Sequence, residues 1–127
     1  MIKDFYKVDS VTRHDDGAVY RVSLNSDCEV YKGHFPGNPV SPGVCGIQMI
    51  RECAEMECSA HGIARKLMIR EVQQCKFTSL ISPVACPQVD VSISVSEDAS
   101  GEILLKSSVV REGTVCLTLK AICVESR

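Results

Sequence analysis

Gly33-His34-Phe35-Pro36-Gly37-Asn38-Pro39-Val40-Ser41-Pro42-Gly43-Val44 divides the chain into two unlike parts. From Tyr31 to Gly43 there are three glycines and three prolines. That density excludes regular structure and implies a loop of fixed shape. The end of the stretch has the form of a helix start, with Ser41 at the N-cap and Pro42 at the first helical position. From Val44 to His61 no proline interrupts, and only Gly46 is a poor helix former. Ile47, Ile50, Ala54 and Cys58 recur at spacings of three and four, which predicts one buried apolar stripe. His61-Gly62 marks the end, with Gly62 as the left-handed cap.

Outward from the helix the pattern changes to strands. Upstream, Phe5 to Ser23 reads as two strands around the turn Asp15-Asp16-Gly17. Val19, Arg21 and Ser23 alternate with Tyr20, Val22 and Leu24, as a half-buried strand requires. Downstream, Leu67 to Leu80 holds one long or bent strand, and Val89 to Val95 alternates cleanly. After the turn Asp98-Ala99-Ser100-Gly101, Ile103 to Val110 and Val115 to Val124 form a hairpin around Arg111-Glu112-Gly113. Two strands, a long loop, one helix and three or four strands make an α+β domain over residues 1–127. Periodicity by itself leaves open how the sheet meets the helix.

Composition narrows the function classes. A hydrophobic fraction of 45% supports a core that needs neither metal nor disulfide. A net charge of −2, no Trp, three Tyr and three Phe argue against nucleic-acid binding. No apolar run approaches the ~20 residues that span a bilayer. The eight cysteines are Cys28, Cys45, Cys53, Cys58, Cys75, Cys86, Cys116 and Cys123. They include no Cys-x-x-Cys and no zinc spacing, and Met1-Ile2-Lys3-Asp4 is not a signal peptide. Reduced, buried thiols in a cytoplasmic protein are therefore expected.

The quoted stretch resembles the active-site signature of the hot-dog-fold 3-hydroxyacyl-[acyl-carrier-protein] dehydratases. Nine positions agree in register: His34, Phe35, Pro36, Gly37, Pro39, Val40, Pro42, Gly43 and Val44. Further on, Lys76-Phe77 and Pro83-Val84 stand where the family has a similar run, although Ala85-Cys86-Pro87-Gln88 replaces its usual Gly-Asp. The resemblance implies a curved antiparallel sheet wrapped around one central helix. It implies a homodimer or higher assembly with the cavity at the subunit interface, the histidine coming from one chain and the helix side chain from the other. It implies no cofactor, and an acyl-carrier protein as the partner that delivers the 3-hydroxyacyl chain.

The chemistry suits these residue types. Dehydrating a 3-hydroxyacyl thioester needs a base at C2, an acid for the C3 hydroxyl, and donors for the thioester oxygen. His34 fits the base, because imidazole titrates near neutral pH. The helix start offers free backbone N–H groups and a positive dipole end. By the resemblance, Gly43 matches the family's donor position, and Phe35 and Val44 are expected to bind the substrate. The family's acid is a Glu or Asp fourteen residues after the histidine; here that position is Gln48. An amide does not donate a proton as a carboxylic acid does. One turn later, where the common pattern has Gln, this chain has Glu52. Residues four apart share a helix face, ~6 Å apart along the axis, so Glu52 is either the displaced acid or a solvated helix residue.

Other candidates read as structural. Ser41 is an N-cap, since no Gly-x-Ser-x-Gly surrounds it. Cys45 sits at a helix start, where a thiol can be acidified, or packs as a small core residue. His14 reads as a turn residue and His61 as a cation at the helix end. Glu55 and Glu57 read as surface charges. Lys32, Arg51, Arg65, Lys66, Arg70 and Lys76 are candidates for a basic rim that meets an acidic carrier. Three functions follow: the dehydratase, an acyl-thioesterase on the same scaffold, and an impaired acyl-thioester-binding subunit, which Gln48 favours.

Overall fold

The computed structural model describes residues 5–28, 43–63, 66–83 and 87–125. Strands β1 (Tyr6–His14) and β2 (Gly17–Leu24) precede helix α1 (Gly43–Ala60). Then come β3 (Leu67–Phe77), β4 (Gln88–Glu97), β5 (Ile103–Arg111) and β6 (Thr114–Glu125). The strands form one antiparallel sheet in the order β1-β2-β4-β5-β6-β3. Both hairpins lie where alternation predicts them. Ser41, Pro42 and the loop before them fall outside the described residues, so α1 is followed from Gly43 onward.

The sheet presents one apolar face. Val89, Val91 and Ile93 of β4 are buried, as are Ile103, Leu105 and Val109 of β5. Leu117, Leu119, Ala121 and Cys123 of β6 complete that face. Helix α1 lies against β4, β3 and β5. It buries Met49, Cys53 and Cys45 beside Ile50, Ala54 and Cys58, while Ile47 is half-buried. The buried face is thus wider than the predicted stripe, because a curved sheet meets the helix over more than one side. Gly46 has a spatial reason to be glycine: a Cβ there would stand 3.0 Å from Leu117 Cδ2.

Local chemistry ends each element. Helix α1 stops in a Schellman arrangement, with Gly62 at φ 70°, Ile63 N–H on Cys58 O at 2.9 Å and Gly62 N–H on Ser59 O at 3.2 Å. The β5–β6 turn places Glu112 and Gly113 at φ 47° and 81°, a tight hairpin of the primed type. Strand β3 is bent as expected: its register with β6 shifts between Ile69 and Glu71 and again between Val72 and Gln74. Each shift adds local twist. His14, read as a turn residue, is the last residue of β1, and the turn itself is Asp15-Asp16. The seven described cysteines are free, and all but Cys75 are buried. Cys86 lies outside the described residues.

Candidate active site

Gly43 opens α1 with its N–H groups unpaired by the helix. The ring of Phe77, at the end of β3, lies over it: a Cβ on Gly43 would stand 2.8 Å from Phe77 Cζ. Phe77 is itself 57% exposed. Two chain segments that sequence separates by 34 positions thus meet at the helix start. His34 and Phe35 lie outside the described residues.

From the helix start a row of side chains runs inward at i, i+4 spacing: Val44, Gln48, Glu52. Exposure falls along it. Val44 is 72% exposed, Gln48 is half-buried, and the Glu52 side chain retains 11% of its exposure. Glu52 therefore does not face bulk solvent. Its Oε1 accepts the Tyr6 hydroxyl at 2.8 Å, and its Oε2 accepts Gln48 Nε2 at 3.1 Å. Arg51 Nη2 stands 4.0 Å from Oε2, but the guanidinium is directed to Glu55 Oε1 and the Leu67 carbonyl.

Tyr6 had no sequence signal. Its partner lies 46 residues away, and only the packing of β1 beside the helix brings them together. Burial raises the phenol above its ordinary range, helped by Cys53 and Glu52, so it stays a proton donor. Burial likewise pushes the Cys53 thiol up to about 12. Cys45 is buried, and burial raises its thiol too, with Cys28 adding to the shift. The packing reading of Cys45 fits this, because a nucleophilic thiol needs the opposite shift.

At the far end of α1 the structure corrects one expectation. Glu57 is a core residue, 2% exposed, and not a surface charge. Its Oε1 accepts the Tyr20 hydroxyl at 2.8 Å and Arg13 Nε at 3.1 Å. Its Oε2 meets His61 Nε2 at 2.9 Å. Burial opposes this charge, but the bonds from Tyr20, His61 and Arg13 outweigh it and hold the carboxyl below its ordinary value. His61 follows the last helical turn and serves this carboxylate. A cavity of about 280 Å³ opens beside the cluster, lined by Arg13, His14, His61 and the Asp15-Asp16 turn.

The candidate basic residues separate. Arg51 is committed to Glu55, and Arg70 pairs with Glu102. Lys66 and Lys76 are exposed. Lys32 and Arg65 lie outside the described residues. Among the described residues no helix is long and apolar enough to cross a membrane.

A six-stranded antiparallel sheet curved around one helix, with a polar row leading in from the helix start, defines a hot-dog domain. The family model for ApeI-like proteins, described as the ApeI dehydratase, matches residues 10–114, and the chain belongs to that family. It is 26% identical over 90 residues to the 3-hydroxyacyl-[acyl-carrier-protein] dehydratase FabZ of Lactobacillus helveticus, covering 69% of this chain and 60% of the relative. The FabZ of Wolbachia pipientis wMel is 31% identical over 85 residues, 62% of this chain and 58% of the relative. The chain thus spans about three fifths of the length of these curated relatives. Among solved structures, the dehydratase heterocomplex ApeI:P from Xenorhabdus doucetiae matches with a TM-score of 0.69 at 16% identity. That match covers 94% of this chain and 97% of the other, and it establishes the shared fold.

Proposed function

We propose that this chain, as one hot-dog domain, removes water from a 3-hydroxyacyl group carried by acyl-carrier protein, giving a trans-2-enoyl thioester without a cofactor. The observation that carries the reading is the row Val44–Gln48–Glu52, which leads from the helix start to a carboxylate whose side chain is only 11% exposed. The dehydratase-type loop ends where that row begins. In this scheme the thioester oxygen binds the Gly43 N–H, where the helix dipole favours developing negative charge. Phe35 and Val44 flank the acyl chain. His34 takes the C2 proton, the C3–oxygen bond breaks as the double bond forms, and the imidazolium returns the proton so that water leaves. Glu52 serves the C3 hydroxyl through the Gln48 amide: a carboxylate behind the amide N–H polarises it and strengthens its oxygen as an acceptor.

The assembly is part of the proposal. Strand β3 is a sheet edge that leaves Met68, Val72 and Phe77 half exposed, a surface suited to a second copy. The homodimer would supply His34 from the facing subunit. Of the candidate basic residues, Lys66 and Lys76 are exposed and have no carboxylate partner among the described residues, and they are the proposed contacts for an acidic carrier. Buried, reduced thiols support a reducing compartment such as the cytoplasm.

Gln48 favours a second reading, an acyl-thioester-binding subunit whose catalysis comes from another chain. The fold's relative in the ApeI:P structure is described as a heterocomplex, which makes a hetero-partner the first alternative to test. One assay separates the readings. The pure protein is incubated with 3-hydroxyacyl and enoyl thioesters, and mass and enoyl absorbance are followed. Interconversion by water is the expected result. Free acid would mean a thioesterase, and binding without turnover would mean the subunit.

A further inference from the structure

Gln48 is not free to choose which end of its amide meets Glu52. An ionised carboxylate only accepts hydrogen bonds, and the nitrogen is the amide's only donor. With Nε2 on Glu52 Oε2 at 3.1 Å, the amide oxygen is turned away from the carboxylate. Glu52 is held in its turn. The Tyr6 hydroxyl takes its other oxygen at 2.8 Å. Tyr6 follows Phe5, a core residue 1% exposed whose carbonyl accepts Asn25 N–H at 3.0 Å. The two rings meet edge-on, 6.3 Å between centroids, so the phenol rests on an anchored neighbour. Arg51, 4.0 Å from Oε2, is engaged by Glu55 and does not compete for the amide's place.

What Gln48 has left is its oxygen and one N–H. Neither has a partner among the described residues. No side-chain oxygen or nitrogen among the described residues is both buried and unpartnered. The amide oxygen of half-buried Gln48 therefore reaches solvent, where a hydroxyl could meet it. An oxygen at that point accepts a hydrogen bond from a hydroxyl and offers nothing to a methylene.

We infer that Tyr6 and Glu52 are positioning residues that lock the Gln48 amide with its oxygen toward the ligand, making the site selective for acyl thioesters that carry a hydroxyl on C3. This rests on the acyl-thioester reading above, and it deepens it by naming what recognises the hydroxyl. Gln48 touches the ligand; Glu52 and Tyr6 act through it.

The test uses two non-hydrolysable acyl-pantetheine amides of equal chain length, one with a C3 hydroxyl and one saturated, titrated by calorimetry. The wild-type protein should bind the hydroxylated probe roughly five- to ten-fold more tightly, the worth of one hydrogen bond. In Glu52→Gln the amide at 52 meets Gln48 in either orientation. The preference should fall to within about two-fold while affinity for the saturated probe holds, a split that general loosening of the fold would not give. Tyr6→Phe removes one oxygen and no volume; it should lower the preference part-way, and it carries the test if Glu52→Gln misfolds by circular dichroism. In the free protein, one side-chain amide proton of Gln48 should show the downfield shift of a bond to carboxylate, and lose it in Glu52→Gln. An unchanged preference in both variants overturns the inference. So does a wild-type protein that binds the saturated probe equally well, and in that case the acyl-thioester reading survives. Failure to bind either probe removes both.

Discussion

On the proposed reading, activity turns on Glu52 and Gln48. Replacing Glu52 with Gln should lower turnover by of order 10²-fold, the scale set by misplacing a group near the reacting atoms. Exchanging the pair, Gln48→Glu with Glu52→Gln, should keep or raise turnover, because a carboxyl then stands at the family's own position. If the chain is only a binding subunit, Glu52→Gln leaves the assay unchanged and Gln48→Glu alone creates activity. His34→Ala should cost ~10²–10⁴-fold, the usual contribution of a general base, while circular dichroism stays native; full activity in that variant would remove His34 from the mechanism. The relation between Gln48 and Glu52 was legible in the sequence, because four residues make one helical turn. Tyr6 was not, since no local pattern pairs a strand residue with a helix residue 46 positions on.

Among the elements, the helix was legible in its limits and not in its burial. Gly62 announced its end, and the apolar spacing its inner face. Glu57 shows what spacing misses: beside Glu55 and Met56 it reads as a surface charge, yet it carries the bond network that ties α1 to β1 and β2. Strand alternation likewise found β4, β5 and β6 but not the two register shifts of β3, which arise from pairing with β6. The Glu57 network has a pH signature. Its carboxyl is held below the ordinary value, so its contribution to stability is complete above the unfolded-state value of ~4.3 and is lost as pH falls through the lower folded value. Melting temperature against pH should therefore fall more gently on the acid side in Glu57→Gln than in the wild type. Glu57→Ala strands the buried Tyr20 hydroxyl and should cost about 1–3 kcal/mol in denaturant unfolding. Arg13 and His61 add less, because both reach solvent.

Taken whole, the described residues form a core around one helix, covered by a curved sheet whose two edges are β1 and β3. The fold class was legible because the strand and helix periods differ; the wrap was legible only through the resemblance of the loop motif and not from periodicity, since curvature comes from strand pairing across the whole chain. Docking to an acidic carrier should be salt-sensitive, with Lys66→Glu and Lys76→Glu slowing association more than they weaken the bound state. Salt-independent kinetics with unaltered rates in both variants would place the carrier elsewhere. The thiols packed through this core have a kinetic consequence. Cys53, Cys58, Cys116 and Cys123 are fully buried, and burial also raises Cys58 and Cys123 to about 11. A thiol reagent needs both access and the thiolate, so each of these is silent until the chain opens around it. Among the described thiols half-buried Cys75 should label first, and the others should follow at rates that time the opening of each region, so that the chain carries its own stopwatch for unfolding.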